Sequence, residues 1–166
     1  MRVLLSLFYL ICAVAAAGPA FAQATAVSQH RDWGTYSYQS DSGKVCYVMS
    51  VPKEKAPTNL DHGDIFFFVS QKPGQNVAYE PQFIAAYDLR ENSKVTVTVG
   101  DRSFSMFTRG KSAWMENAAE EPQLIAAMKS GADMKVAAVS GRGNQTSYTF
   151  SLLGLTAALG SIQSCN

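Results

Sequence analysis

The chain has 166 residues, with 14 Lys+Arg against 13 Asp+Glu, so its formal net charge is only +1. That length fits one domain with a genuine core, and a near-neutral chain without a basic run gives no reason to expect a nucleic acid or an anionic membrane surface as partner. The first element in chain order is a targeting signal. Arg2 precedes an apolar run from Val3 to Ala17, and Ala20-Phe21-Ala22 offers a small-x-small cleavage site before Gln23. This is the layout of a secretory signal peptide, removed on export, and it is too short to span a membrane. Ile11 before Cys12 is too bulky for lipoprotein-type cleavage, so Cys12 goes with the discarded segment. The expected division is a signal peptide over 1–22 and a single domain over 23–166, with 13 basic and 13 acidic residues left after processing. No second apolar stretch of the mature chain reaches membrane-spanning length.

Gln23 to Arg31 reads as a polar leader, and Trp33 to Tyr38 as a strand. In Lys44 to Val51, both alternating sets of residues are largely apolar, which predicts a strand buried on two sides. Pro52 to His62 reads as a loop, Asp64 to Gln71 as a short apolar strand and Lys72 to Asn76 as a turn. Pro81 interrupts Val77 to Tyr87, which suggests a bent edge strand. Glu91-Asn92-Ser93 is a turn. Lys94 to Val99 and Phe104 to Phe107 form a hairpin around Gly100-Asp101, closed by Arg109-Gly110-Lys111. Glu120 to Lys129 is the one clear helix, with Pro122 in its first turn and Leu124, Ile125 and Met128 on one face. Met134 to Val139 and Thr146 to Leu153 are strands flanking a Gly141-to-Asn144 turn, and Thr156 to Leu159 suits a terminal helical turn. Seven or eight strands with one inserted helix describe a mainly antiparallel β-sandwich.

Two cysteines survive processing, Cys46 and Cys165. Outside the cytosol, two thiols and no others most simply mean one disulfide. It would close a loop of 119 residues, a constraint that the chain-entropy model values at about 4.7 kcal/mol. The C-terminus would then be anchored to the body of the domain. No Cys-x-x-Cys spacing suggests redox chemistry.

Enzymatic signals are sparse. His62 lies between Asp61 and Asp64, a triplet that fits a small metal site or, more simply, a solvated charged loop. There is no Gly-x-Ser-x-Gly elbow and no phosphate-cradling glycine loop. Glu120-Glu121 suit the positive end of a helix. The expectation is therefore no catalytic residue, no metal and no cofactor. Trp114, after a Gly-Lys-Ser-Ala loop, and Arg142, between two glycines, are the residue types that interfaces favour; packing and turn roles compete with that reading.

Several ordered pieces carry a resemblance. They are Trp33, Val45-Cys46-Tyr47 with Pro52, Val95 to Gly100 with Phe104 and Phe107, Ala113-Trp114 and Leu124 to Gly131. Ser140-Gly141-Arg142-Gly143, Phe150-Ser151-Leu152, Gly154 to Leu159 and Cys165 complete the set. In order and spacing they resemble the invasion-associated locus B (IalB) family of alphaproteobacterial exported proteins. That resemblance implies an immunoglobulin-like β-sandwich, periplasmic, outer-membrane-associated or secreted, without established catalytic residues. The family name reflects host-cell entry by pathogenic members. Two positions depart from the pattern: Ala86-Tyr87-Asp88 stands where Gly-Tyr-Pro is expected, and Tyr148 where an aspartate usually precedes the last strand. The functional expectation is a non-enzymatic envelope protein acting on an unidentified protein or envelope component. A small hydrolase or metal enzyme using His62 or a serine, and a chaperone-like scaffold, are the alternatives.

Overall fold

The computed structural model describes residues 23–41, 43–71 and 79–163. Its eleven strands are β1 Thr25–His30, β2 Trp33–Ser40, β3 Gly43–Ser50, β4 Glu54–Ala56, β5 Phe66–Gln71, β6 Glu80–Ile84, β7 Lys94–Val99, β8 Arg102–Arg109, β9 Ser112–Met115, β10 Asp133–Val139 and β11 Gln145–Ser151. Two α-helices, α1 Glu121–Ser130 and α2 Leu155–Ile162, and a 3₁₀ turn, Ala118–Glu120, complete the described elements. The strands hydrogen-bond as one antiparallel sheet in the order β1-β2-β3-β5-β6-β9-β8-β7-β10-β11-β4.

Strand alternation gives this sheet one strongly apolar face: Val95 and Val97 on β7, Met134, Val136 and Ala138 on β10, and Thr146, Tyr148 and Phe150 on β11 are all buried. A sheet with so much apolar surface on one side must cover it. It does so by curling over itself, so that strands distant in the hydrogen-bonding order meet across the core. Phe67 of β5 packs edge-on against Phe150 of β11, with ring centroids 5.9 Å apart, and Phe83 of β6 lies 5.6 Å from Tyr148. Trp33 of β2 is fully buried and donates its indole N–H to the Ser151 carbonyl at 2.9 Å. The architecture is the mainly antiparallel, sandwich-like β fold that was expected, with hydrogen bonding continuous from one layer to the other.

The differences from the sequence expectation are local. β1 forms within the supposed polar leader, because its outermost position asks only for backbone pairing with β2 and its residues stay largely exposed. β4 is three residues long within the supposed loop. β6 is not an edge: it pairs with β5 and β9, and Pro81 precedes the first β9 partner pair, Gln82–Trp114, so its missing N–H leaves that ladder intact. β9 itself holds Trp114, which was expected in a loop region. The expected turn at 72–76 lies outside the described residues. On the outer face, β3 is half-covered rather than buried. Tyr47 stacks on Tyr36 at 5.3 Å and touches Phe68 at 5.5 Å, in a cross-strand aromatic ladder of the kind that stabilises sheets.

The terminal helical turn extends to a full helix. Leu155, Ala158, Leu159 and Ile162 recur at helical spacing and are buried, so α2 closes the core against β1, β2 and β3. Its entry depends on Gly154, whose φ of +93° is left-handed and whose Cβ, if present, would sit 1.9 Å from the His30 carbonyl oxygen. Gly154→Ala should therefore lower unfolding free energy by more than about 2 kcal/mol, from left-handed strain and the clash together. Gly160→Ala, on the exposed side of the same helix with open space around it, should raise it by about 0.5–1 kcal/mol. Urea unfolding of both variants checks the pair; equal effects would contradict this account of the turn.

Candidate functional site

Four connections gather at one end of the molecule. β4 runs opposite β11 with Lys55 facing Tyr148, then the chain turns at Pro57 and brings His62 back over β11. The segment after β6 is clamped on both sides. Ala85 N–H donates to the Lys111 carbonyl and Leu89 N–H to that of Gly110, both at 2.9 Å. On the other flank Arg90 N–H donates to Val139 at 2.9 Å and Gly141 N–H to Asp88 at 2.7 Å. Gly63 is pressed against this segment: a Cβ there would lie 2.6 Å from that of Ala86. The loops enclose a cleft of about 800 Å³, within the range of ligand sites. Asp61, His62, Tyr87, Asp88, Lys111 and Arg142 are among its lining residues.

The floor is a chain of hydrogen bonds that starts in the core. His62 is 6% exposed, and its Nε2 lies 2.9 Å from the Pro57 carbonyl while its Nδ1 lies 2.9 Å from the Tyr148 hydroxyl. The Tyr148 hydroxyl lies 2.6 Å from that of Tyr87, which is 2.8 Å from Thr146 Oγ1, and Thr146 donates to the Ala138 carbonyl at 3.2 Å. A carbonyl only accepts, so His62 Nε2 carries a hydrogen at one end and Thr146 supplies one at the other. A neutral imidazole, two phenols and a threonine bring four hydrogens to five contacts. One contact therefore lacks a hydrogen unless a fifth is supplied. Burial, and secondly the bond to Tyr87, push the Tyr148 phenol well above the ordinary tyrosine range, so it remains a neutral hydroxyl.

The rim carries charge. Asp61, Asp88, Lys111 and Arg142 are exposed. Among the described residues the two cations make no ion pair, and of the two acids only Asp61 has a side-chain bond, Oδ1 accepting from Gly63 N–H at 3.0 Å. The arrangement provides opposite charges around a hydroxyl floor.

These positions sort the residues singled out from sequence. Arg142 lines the cleft, at the tip of the β10–β11 turn. His62 belongs to it too, yet it is a buried, doubly engaged imidazole rather than a solvated loop residue. With both ring nitrogens directed at protein partners, it offers no lone pair to a metal and no free nitrogen to act as a base. Ser140 Oγ accepts from Asn144 N–H at 3.1 Å and works as a turn fastener. Trp114 lies elsewhere, half-buried on β9 and stacked on the 45%-exposed Phe107 with centroids 5.8 Å apart. The two line a separate shallow pocket of about 320 Å³ with Glu80, Arg109 and Glu121. Cys46 is buried on β3; Cys165, and so its expected bond to Cys46, lies outside the described residues. Sequence reasoning did not identify Tyr87, Lys111 or Thr146 as site residues. Tyr87, Asp88 and Tyr148 were visible only as departures from a family pattern, and the structure brings all three to one place.

The model of the family described as "Invasion associated locus B (IalB) protein" matches residues 33–163. The chain belongs to the invasion associated locus B family. A crystal structure of invasion associated protein B from Bartonella henselae is similar in fold, with a TM-score of 0.60 at 15% identity, covering 83% of this chain and 95% of that one. No curated protein matches. Among the described residues of this family member, no helix is long and apolar enough to cross a membrane.

Tyr148→Phe tests the floor of the cleft. It keeps the ring but leaves His62 Nδ1 and the Tyr87 hydroxyl without their shared partner, so unfolding free energy should fall by about 1–3 kcal/mol. Calorimetry or urea unfolding reads this; a change within experimental error would mean that the hydroxyl chain holds nothing.

Proposed function

We propose that this member of the invasion associated locus B family is an exported, non-enzymatic protein of the cell envelope that grips a partner protein at the four-loop cleft. The observation that carries the reading is the rim: Lys111 and Arg142 stand beside Asp61 and Asp88 around one cavity, and none is spent on an ion pair with another described residue. Charges held in this way on clamped loops are available to a partner, and loops gathered at one end of a β-sandwich are a common recognition surface. The commitments of His62 and Ser140 weigh against hydrolysis. Export rests on the signal-peptide layout of residues 1–22. Invasion, with which the Bartonella henselae protein is associated by name, would be one use of such a grip.

A Cys46–Cys165 disulfide is part of the same proposal. Cys46 is buried on β3, and α2 packs on β3 and ends at Ile162, three residues before Cys165. α2 thus lies against the strand that carries Cys46, which supports the pairing.

A photo-crosslinking residue placed at position 142 should yield one saturable product in cells, lost when Lys111→Glu is added. The same probe at Tyr36, on the aromatic outer face, should yield none. A product from position 36 alone would overturn the assignment of the cleft. Cys165→Ser should cost about 2–5 kcal/mol of stability, read by urea unfolding. Equal stability of the wild-type protein with and without reductant would contradict the disulfide.

A further inference from the structure

The hydrogen count in the floor says what the cleft lacks. Nε2–H goes to Pro57, so while the ring carries that single hydrogen the two phenols have two hydrogens for the three contacts Nδ1–Tyr148, Tyr148–Tyr87 and Tyr87–Thr146. Thr146 gives its hydrogen to the Ala138 carbonyl. One of the three is short of a hydrogen, and it is the 2.8 Å contact between Tyr87 Oη and Thr146 Oγ1 when both phenols donate toward His62. This is the one contact of the chain whose two residues both line the cleft, so a donor arriving there supplies the missing hydrogen and leaves both phenols directed toward His62. A donor with several hydrogens can bridge both oxygens, and an ammonium group does so with charge as well.

The surroundings agree in sign. Asp88 lies on the segment bearing Tyr87, and Asp61 adjoins His62 on the facing loop; both line the cleft and favour a cation at the floor. Arg142 and Lys111 sit on the turns that flank the Asp88 segment, to which their neighbours Gly141 and Gly110 are hydrogen-bonded. Two cations there favour a carboxylate at the rim. A ligand dense in negative charge would meet Asp61 and Asp88, and a purely basic one would meet Arg142 and Lys111.

We infer that the cleft recognises a dipolar ligand segment, its ammonium group bridging Tyr87 and Thr146 and its carboxylate meeting Arg142 and Lys111. This rests on the reading of the cleft as the binding site and names the chemistry of what enters it: a lysine close to an acidic side chain on a partner's loop, or a free amino-carboxylate. The floor selects the amine, and the rim the acid.

Three blocked tripeptides test the inference by amide chemical-shift titration of the full mature protein: acetyl-Lys-Gly-Glu-amide, acetyl-Glu-Gly-Glu-amide and acetyl-Lys-Gly-Lys-amide. Free lysine, added as a fourth probe, distinguishes a small amino-carboxylate from a protein segment. The dipolar tripeptide or free lysine should shift residues 87–88, 111 and 140–146 and bind at least tenfold more tightly than either single-sign tripeptide. Thr146→Val, which keeps shape but removes the floor acceptor, should weaken that binding at least threefold while leaving the weak binding of the acidic peptide unchanged. Asp88→Lys should reverse the order in favour of the acidic peptide. Equal affinity for all three tripeptides, or no shift at the cleft with any probe, overturns the inference. If the crosslink at position 142 persists in that case, the cleft remains the partner site and only its assigned chemistry is wrong. If the dipolar probe binds while crosslinks map to the outer sheet face, the partner assignment alone falls.

Discussion

Tyr148 belongs to two systems at once. Its ring is fully buried against Phe83 in the packing that holds the curled sheet closed, and its hydroxyl lies between His62 and Tyr87 beneath the cleft. Closing the core and shaping the site are therefore one event. The ring can reach Phe83 only when β11 lies opposite β6, and that same placement puts the hydroxyl where the loops before β5 and after β6 come together. A buried hydroxyl without partners is costly, so the core imposes a position on both loops. The backbone clamps on either side of Asp88 then fix the flanking turns that carry Lys111 and Arg142.

Two outward surfaces of different character result. The loop end is polar and carries charges of both signs. The outer face of β2, β3 and β5 shows Tyr36, Tyr47, Phe66 and Phe68 in mutual ring contact, a ladder accounted for by cross-strand packing. Trp114 and Phe107 continue the aromatic character onto β9 and β8. The cleft stands apart from this face because its charged groups have no ion-pair partners among the described residues, whereas the rings have one another.

Strands whose alternation reports one buried face were legible in the sequence. Val95, Val97 and Val99 marked β7, and Met134 to Val139 marked β10. The three strands that were not legible, β1, β4 and β9, are short or largely exposed, and neighbouring backbones define them more than their own pattern does. α2 was legible only as a turn, since its helical stripe from Leu155 to Ile162 follows a glycine whose left-handed φ and close approach to His30 belong to the fold. His62 was misread for a related reason. Its neighbours Asp61, Gly63 and Asp64 describe a solvated loop, and the partner that buries it, Tyr148, is 86 residues away in sequence. Arg142 was legible because a cation between glycines at a hairpin tip is exposed wherever the hairpin lies. What surrounds it could be known only from the fold.

The Tyr148 hydroxyl proton gives the most direct measurement of this arrangement. In protein with labelled tyrosine, a hydroxyl held between His62 and Tyr87 should give a distinct, slowly exchanging proton signal with a nuclear Overhauser contact to the His62 ring. A Tyr148 hydroxyl that exchanges with water as fast as that of the exposed Tyr38 would contradict the claim that the core and the cleft share this residue.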